Sequence, residues 1–310
     1  IGHLYPKYYP HPESLPQNEG GTLAHPSLPG GGRAGDGGET VIAWLWARTV
    51  QSPNPAVNAH VPLVRSFTLS KKKGRECWAK PIVEGDTVRF EVTQGKPPKD
   101  EDGTVNRRGA RCIISGEPIT RDYIKQEGMA GRIGSQLIAI VTEGQSGRSY
   151  YSPNDEHENV PQQAKPGWRP SGELADDPRN IWCKQYGLIE FADLFTPRQL
   201  FALTTFSDLI AEARERASAD ALAADLPDDG VSLRDGGRGA RAYAEAVSVY
   251  LAFGVDRLSD RQSTLCSWDI GYTKIRNTFG RQALPMTWDY AEGNVFSTST
   301  GNFLDLLEWC

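Results

Sequence analysis

Several absences narrow the class of this chain at once. No apolar run approaches the roughly 18 residues of a membrane span. The opening Ile1-Gly-His-Leu-Tyr-Pro carries neither a basic nor an apolar signal region, so the expectation is a cytoplasmic protein with no membrane partner. An excess of positive charge is also missing: 34 Lys+Arg stand against 39 Asp+Glu, a formal charge of -5. A histone-like or ribosomal-type chain is thereby excluded, and any nucleic-acid surface has to be a local patch.

Cysteine is scarce. The five residues Cys77, Cys112, Cys183, Cys266 and Cys310 are an odd number with no pair closer than 35 positions, which excludes a disulfide framework and a CxxC metal knuckle. They are expected to be free, mostly buried thiols. Neither a Ser-His-Asp set nor an HExxH motif is visible, and His3, His11, His25, His60 and His157 are scattered over loops.

What is present changes along the chain. Residues 1–39 are dense in Pro and Gly, up to Gly30-Gly31-Gly32 and Gly35-Asp36-Gly37-Gly38, and read as a flexible linker. A phosphate-binding loop is the alternative, but no apolar strand precedes these glycines and no GKS or GKT follows. Residues 40–153 carry β-type runs at 41–46, 61–69 and 87–92, where Val88, Phe90 and Val92 alternate with Arg89 and Glu91. Further strands are expected at 110–114 and at 137–142 paired with 148–151, making an antiparallel, β-rich module. A connector over 154–180 leads into a helical region, 181–310. There Thr196-Pro197 caps a helix carrying Leu200, Leu203, Phe206, Leu209 and Ile210. A second helix runs from about 240 to 258 with Tyr243, Val247, Tyr250, Leu251 and Val255 on its apolar face. The predicted class is α+β. The first residue, Ile1, and the apolar pattern running into Cys310 read as cut ends, predicting an internal piece of a longer protein.

Two stretches could carry chemistry. Residues 61–111 hold twelve Lys/Arg against seven Asp/Glu, a local +5 in a chain of net -5. Lys71, Lys72, Lys73 and Arg75, and then Arg107 and Arg108, fall at expected hairpin tips, where long cations reach phosphates with little desolvation. The bland alternative is a solvated turn. Residues 274–292 combine Lys274, Arg276 and Arg281 with Asn277, Gln282, Asp289, Glu292 and three aromatics, groups that can hold a base by stacking and hydrogen bonds. The alternative there is a polar loop that packs Phe279, Leu284 and Trp288 into a core.

The segments Ser52-Pro-Asn-Pro-Ala, Ser70-Lys-Lys-Lys-Gly, Ser115-Gly-Glu-Pro-Ile, Tyr123-Ile-Lys, Leu194-Phe-Thr-Pro-Arg-Gln-Leu and Ile275-Arg-Asn-Thr-Phe-Gly-Arg-Gln-Ala-Leu-Pro-Met occur in this order. With others between them, over roughly 40–302, they resemble the large adenine-specific DNA methyltransferases that carry a Zn-ribbon insert and a DUF1156 domain. The resemblance implies a ribbon-like insert followed by helices belonging to a Rossmann-like, S-adenosylmethionine-dependent catalytic domain. It also implies DNA as partner, and restriction or phage-defence companions. The ribbon's ligand positions would be Ser52, Val57, Cys112 and Ser115. Only one keeps a thiol, too few for a closed four-ligand zinc site, so no zinc is expected. The family's Asp-Pro-Phe-x-Gly-Gly-Gly cofactor loop and its Asp-Pro-Pro-Tyr tetrapeptide do not occur in these 310 residues. No catalytic residue is therefore expected here, and S-adenosylmethionine would belong to a full-length parent. Under the same resemblance Asn277, Arg281, Asp289 and Glu292 are candidates for a cofactor or base pocket, and the six hairpin-tip cations are candidates for DNA phosphates. The competing expectations are a non-catalytic DNA- or protein-binding module derived from such an enzyme, and a decayed reading frame that folds poorly.

Overall fold

The computed structural model describes residues 38–99 and 102–310, so nearly all of the expected linker over 1–39 lies outside the described residues. In chain order the strands are β1 (Thr40–Gln51), β2 (His60–Leu63), β3 (Thr68–Ser70), β4 (Cys77–Glu84), β5 (Thr87–Gln94), β6 (Val105–Asn106), β7 (Gly109–Arg111) and β8 (Pro118–Thr120). Helix α1 (Arg121–Met129) precedes the hairpin of β9 (Gly134–Gly144) and β10 (Gly147–Tyr151). Then follow α2 (Asp155–Asn159), α3 (Pro197–Ala223), α4 (Ala240–Arg261), β11 (Trp268–Asp269), β12 (Lys274–Ile275), β13 (Asp289–Gly293) and α5 (Phe303–Glu308). Every strand ladder is antiparallel, and the fold is α+β. Among the described residues no helix is long and apolar enough to cross a membrane.

Strand β1 organises the molecule. It is buried from Val41 to Val50, as a strand covered on both faces must be, and its β-branched and aromatic residues suit that place. In the main sheet, ordered β10-β9-β1-β13 with β2 also on β1, the final strand comes from the far end of the chain. One face is built from small side chains, including Ala43, Ala47, Ala139 and Ala291, and packs on the β3-β4-β5 sheet through Phe67, Trp78 and Phe90. The other face presents Trp44, Trp46, Leu137, Ile140 and Tyr290 to the helices, meeting Ala202 of α3, Leu258 of α4 and Leu306 of α5. At the Val50 end, the small β6-β7-β8 sheet and α1 close a third core through Cys112, Ile119 and Ile124.

Local signals explain the element ends. Thr196 and Gln199 form a reciprocal capping box at the start of α3, with Pro197 in the first turn. The helix continues to Ala223, beyond the expected charged end. The run expected as one strand over 61–69 is split into β2 and β3. Between them the Thr104 hydroxyl accepts from Val64 N–H at 2.9 Å and the Asp102 carboxylate from Phe67 N–H at 2.9 Å, so side chains replace the ladder. The strand expected over 110–114 stops at Arg111, because residues 112–117 turn back through Gly116 N–H to Cys112 C=O at 2.8 Å. Helix α4 corrects the expected apolar face: Tyr243 and Tyr250 are 53% and 55% exposed. The side turned inward carries Ala240, Ala244, Gly254 and Leu258. Its narrowness lets α5 approach so closely that a Cβ on Gly254 would stand 3.0 Å from Leu307 Cδ1.

Candidate nucleic-acid interface

Three hairpin tips meet near the Thr40 end of β1. Residues 71–76 join β3 to β4, residues 145–146 join β9 to β10, and residues 270–273 join β11 to β12. Lys71 N–H donates to Ile270 C=O at 2.9 Å, tying the first tip to the third. The Arg75 guanidinium lies against Gly147, where an added Cβ would fall 2.7 Å from Nη1, and the φ of +95° at Gly147 favours glycine. Arg148 joins the second tip to the third, donating to Thr273 Oγ1 at 3.2 Å while pairing with Glu143 at 3.2 Å.

The third tip owes its shape to Asp269. Its Oδ1 accepts the N–H groups of Gly271 and Tyr272 at 2.9 and 2.8 Å, and its Oδ2 receives Arg276 Nε and Nη2 at 2.9 and 2.8 Å. Burial raises the Asp269 carboxyl, but the bonds from Tyr272, Arg276 and Gly271 outweigh it and hold the group below the usual carboxylate range. This turn presents Tyr272 with 75% of its surface exposed, and Lys274 Nζ sits 5.4 Å from the Tyr272 ring centroid. Lys71, Lys72, Lys73, Arg75 and Lys274 are exposed, and among the described residues none has an ion-pair partner. Unpaired cations around an outward-facing aromatic ring suit a backbone of phosphates carrying bases that can stack.

Behind this surface lies a cavity of about 280 Å³ that shares Ile270 with the third tip and is further lined by Arg65, Thr68, Arg276 and Asp289. Asp289, half-buried at the start of β13, accepts Arg65 N–H on Oδ1 at 3.1 Å. Burial pushes its carboxyl up to about 6, against the lowering influence of the Arg65 N–H and guanidinium. Two guanidinium groups and a carboxyl that exchanges its proton near neutrality can hydrogen-bond an anion or the polar edge of a base.

The four pocket candidates do not come together. Only Asp289 lines this cavity. Asn277 Nδ2 donates to Asp260 Oδ2 at 2.9 Å, and Arg281 stands exposed on the loop beyond it. Glu292 is sealed in the core on the other face of the sheet. Its carboxylate takes Arg198 Nε at 2.9 Å and Thr196 Oγ1 at 2.8 Å, with the second Arg198–Glu292 contact also at 2.9 Å. Arg198 stacks 3.7 Å from the Trp44 ring centroid, and Trp44 Nε1 donates to His157 Nδ1 at 2.7 Å. These residues do not assemble a pocket for S-adenosylmethionine. Phe279, expected in the core, is 63% exposed, whereas Leu284 and Trp288 do pack inward. The six basic candidates separate into two groups: Arg107 and Arg108 belong to the β6-β7 turn, on the module packed at the Val50 end of β1.

No protein-family model matches this sequence, and no curated protein or solved structure matches it either. Sequence reasoning passed over Arg148 and Tyr272, and it counted Arg65 only in the charge of the 61–111 stretch. A signal for Tyr272 was present in Asp269-Ile-Gly-Tyr-Thr-Lys274, a turn-forming Asp and Gly that carry an aromatic and a cation outward.

Three of the four ribbon positions implied by the resemblance converge. Ser52 Oγ lies 3.5 Å from Cys112 Sγ, and Ser115 N–H donates to that sulfur at 3.4 Å. Burial raises the Cys112 thiol, but hydrogen bonds from Ser115, Ser52 and the Ile114 backbone outweigh it and the group is lowered overall. Val57 is buried in the loop that follows Ser52. Among the described residues no cluster of three or more His, Cys, Asp or Glu side chains could hold a metal ion.

Proposed function

We propose that this chain engages DNA, as the DNA-contacting and scaffolding portion of a protein of the adenine-N6 methyltransferase type. The observation that carries the binding half is the meeting of three hairpin tips into one basic surface around Tyr272. The enzymatic half rests on the sequence resemblance, with added support from the convergence of Ser52, Cys112 and Ser115, three positions that the resemblance assigns to one ribbon site. On this reading methyl transfer from S-adenosylmethionine is the work of a longer protein, and restriction or defence proteins are its companions. The scattering of Asn277, Arg281, Asp289 and Glu292 favours a second reading, a non-catalytic DNA-binding module with the same surface.

Fluorescence anisotropy with labelled duplexes at several KCl concentrations tests the binding. Lys72→Glu and Lys274→Glu should weaken binding to all sequences and lower the slope of log K against log salt by about 1 per lost phosphate contact. Unchanged affinity and slope in both variants would overturn the proposal. The two basic groups lie toward opposite ends of strand β1. Arg108→Glu should therefore weaken a long duplex and leave a much shorter one unaffected. Calorimetry with S-adenosylmethionine then separates the two readings, since the non-catalytic module takes none in any length of the protein.

A further inference from the structure

A second cavity, of about 340 Å³, lies away from the basic surface, between the first turns of α3 and the last turns of α4. Its mouth carries three exposed aromatics, Trp168, Phe191 and Phe279; the first two are held through their rings and the third through its backbone. Trp168 Nε1 donates to Asp208 Oδ1 at 3.1 Å, and the Phe279 N–H donates to Asp260 Oδ1 at 2.9 Å. The Phe191 ring is seated against Gly172, where a Cβ would be 3.3 Å from it. Three exposed aromatic rings around an open cavity, two of them held in place, are a prepared surface, since isolated apolar exposure needs no such anchoring.

Four of the hydroxyls in the lining are already bonded. Thr204 Oγ1 already donates to Leu200 C=O at 2.8 Å, Ser259 Oγ to Asp256 C=O at 2.7 Å, and Ser263 and Thr278 share a hydroxyl bond at 2.7 Å. No Lys, Arg or His lines the cavity, whereas Asp256 does, and its exposed carboxylate has no side-chain partner among the described residues. Asp208 and Asp260 stand beside the mouth through their bonds to Trp168 and Phe279. Apolar walls, aromatic faces and uncompensated negative charge select a hydrophobic body with one positive end. We propose that this cavity binds a small organic cation of the arylalkylammonium class. The assignment is independent of the DNA-binding reading.

Calorimetric titration of the 310-residue chain with 3-phenylpropylammonium, 3-phenylpropanol and 3-phenylpropionate tests it. The ammonium should bind about five- to tenfold more tightly than the alcohol, and the carboxylate more weakly than both. Asp256→Asn should bring the ammonium down to the affinity of the alcohol without affecting the alcohol. Phe279→Leu should remove part of the cation preference while keeping the apolar body bound. Both side chains are exposed, so loss of the fold does not confound the result, and unfolding curves check this. Equal affinity for all three probes, no saturable binding up to about 10 mM, or a preference untouched by both variants would overturn the proposal. Binding of a lysine-bearing peptide but of no free amine would overturn it as well.

Discussion

The two faces of the main sheet treat the same chemistry in opposite ways. On strand β13, Asp289 and Glu292 are three residues apart and therefore face different layers. Asp289 looks toward the small-residue face and the β3-β4-β5 sheet, where alanines leave room for a polar cavity, and its carboxyl keeps one backbone partner and a raised proton affinity. Glu292 looks toward the tryptophan-lined face, where α3 supplies Arg198 and Thr196 and no water-accessible surface remains. The role of an acid here is decided by strand parity and by the layer it meets. Both are carboxylic acids, and both lie in the same five-residue strand.

Removing charge from each acid separates the faces most sharply. Glu292→Gln leaves Arg198 charged and dry, and should cost about 3–5 kcal/mol in chemical denaturation. A loss below about 1 kcal/mol would mean that water reaches the pair and that the faces differ less than their burial says. Next in size is the acid response of His157, on the tryptophan side. Burial, followed by the Arg198 charge, lowers its imidazole from 6.5 to about 4, so between those values the unfolded chain takes up a proton that the folded chain refuses. Stability contributed by neutral His157 is complete above pH 6.5 and is lost as the pH falls toward 4, by up to about 3 kcal/mol. His157→Gln should flatten that part of the stability–pH curve. The smallest effect has the opposite sign. The Asp289 carboxyl is raised from 3.8 to about 6, so its ionised form opposes folding above pH 6 and its protonated form does not below 3.8. Asp289→Asn should therefore add up to about 3 kcal/mol at pH 8, reduced by solvent screening of the half-buried carboxyl, and nothing at pH 3.5. A loss at pH 8 would place Asp289 with Glu292 as a structural acid.

Much of the local structure was legible. The Val88, Phe90, Val92 alternation is β5, the 137–142 and 148–151 runs form the β9-β10 hairpin, and Thr196-Pro197 opens α3. The hairpin-tip positions of Lys71–Arg75 and Arg107–Arg108 were legible too, because turns and charge are local properties. What could not be read is what depends on distant neighbours. Strand β13, Asp-Tyr-Ala-Glu-Gly, has no β-branched residue and two acids, and it is a strand because β1 offers an edge to it. The inward side of α4 is carried by Ala and Gly, which a search for large apolar residues passes over. The site divides the same way: the cations of the first tip show in the sequence, but their meeting with Arg148 and Tyr272 is a product of the fold.

The pairing of β1 with β13 also sets a timetable. Ala43 lies opposite Gly293, 250 positions further along the chain, so the sheet cannot be finished on the ribosome until residue 293 has been made. Until then the Trp44–Ala47 edge of β1, with hydrogen-bonding groups on offer, is open to any strand that arrives first, including one from a neighbouring nascent chain. Folding yield should thus fall steeply with translation density on the messenger.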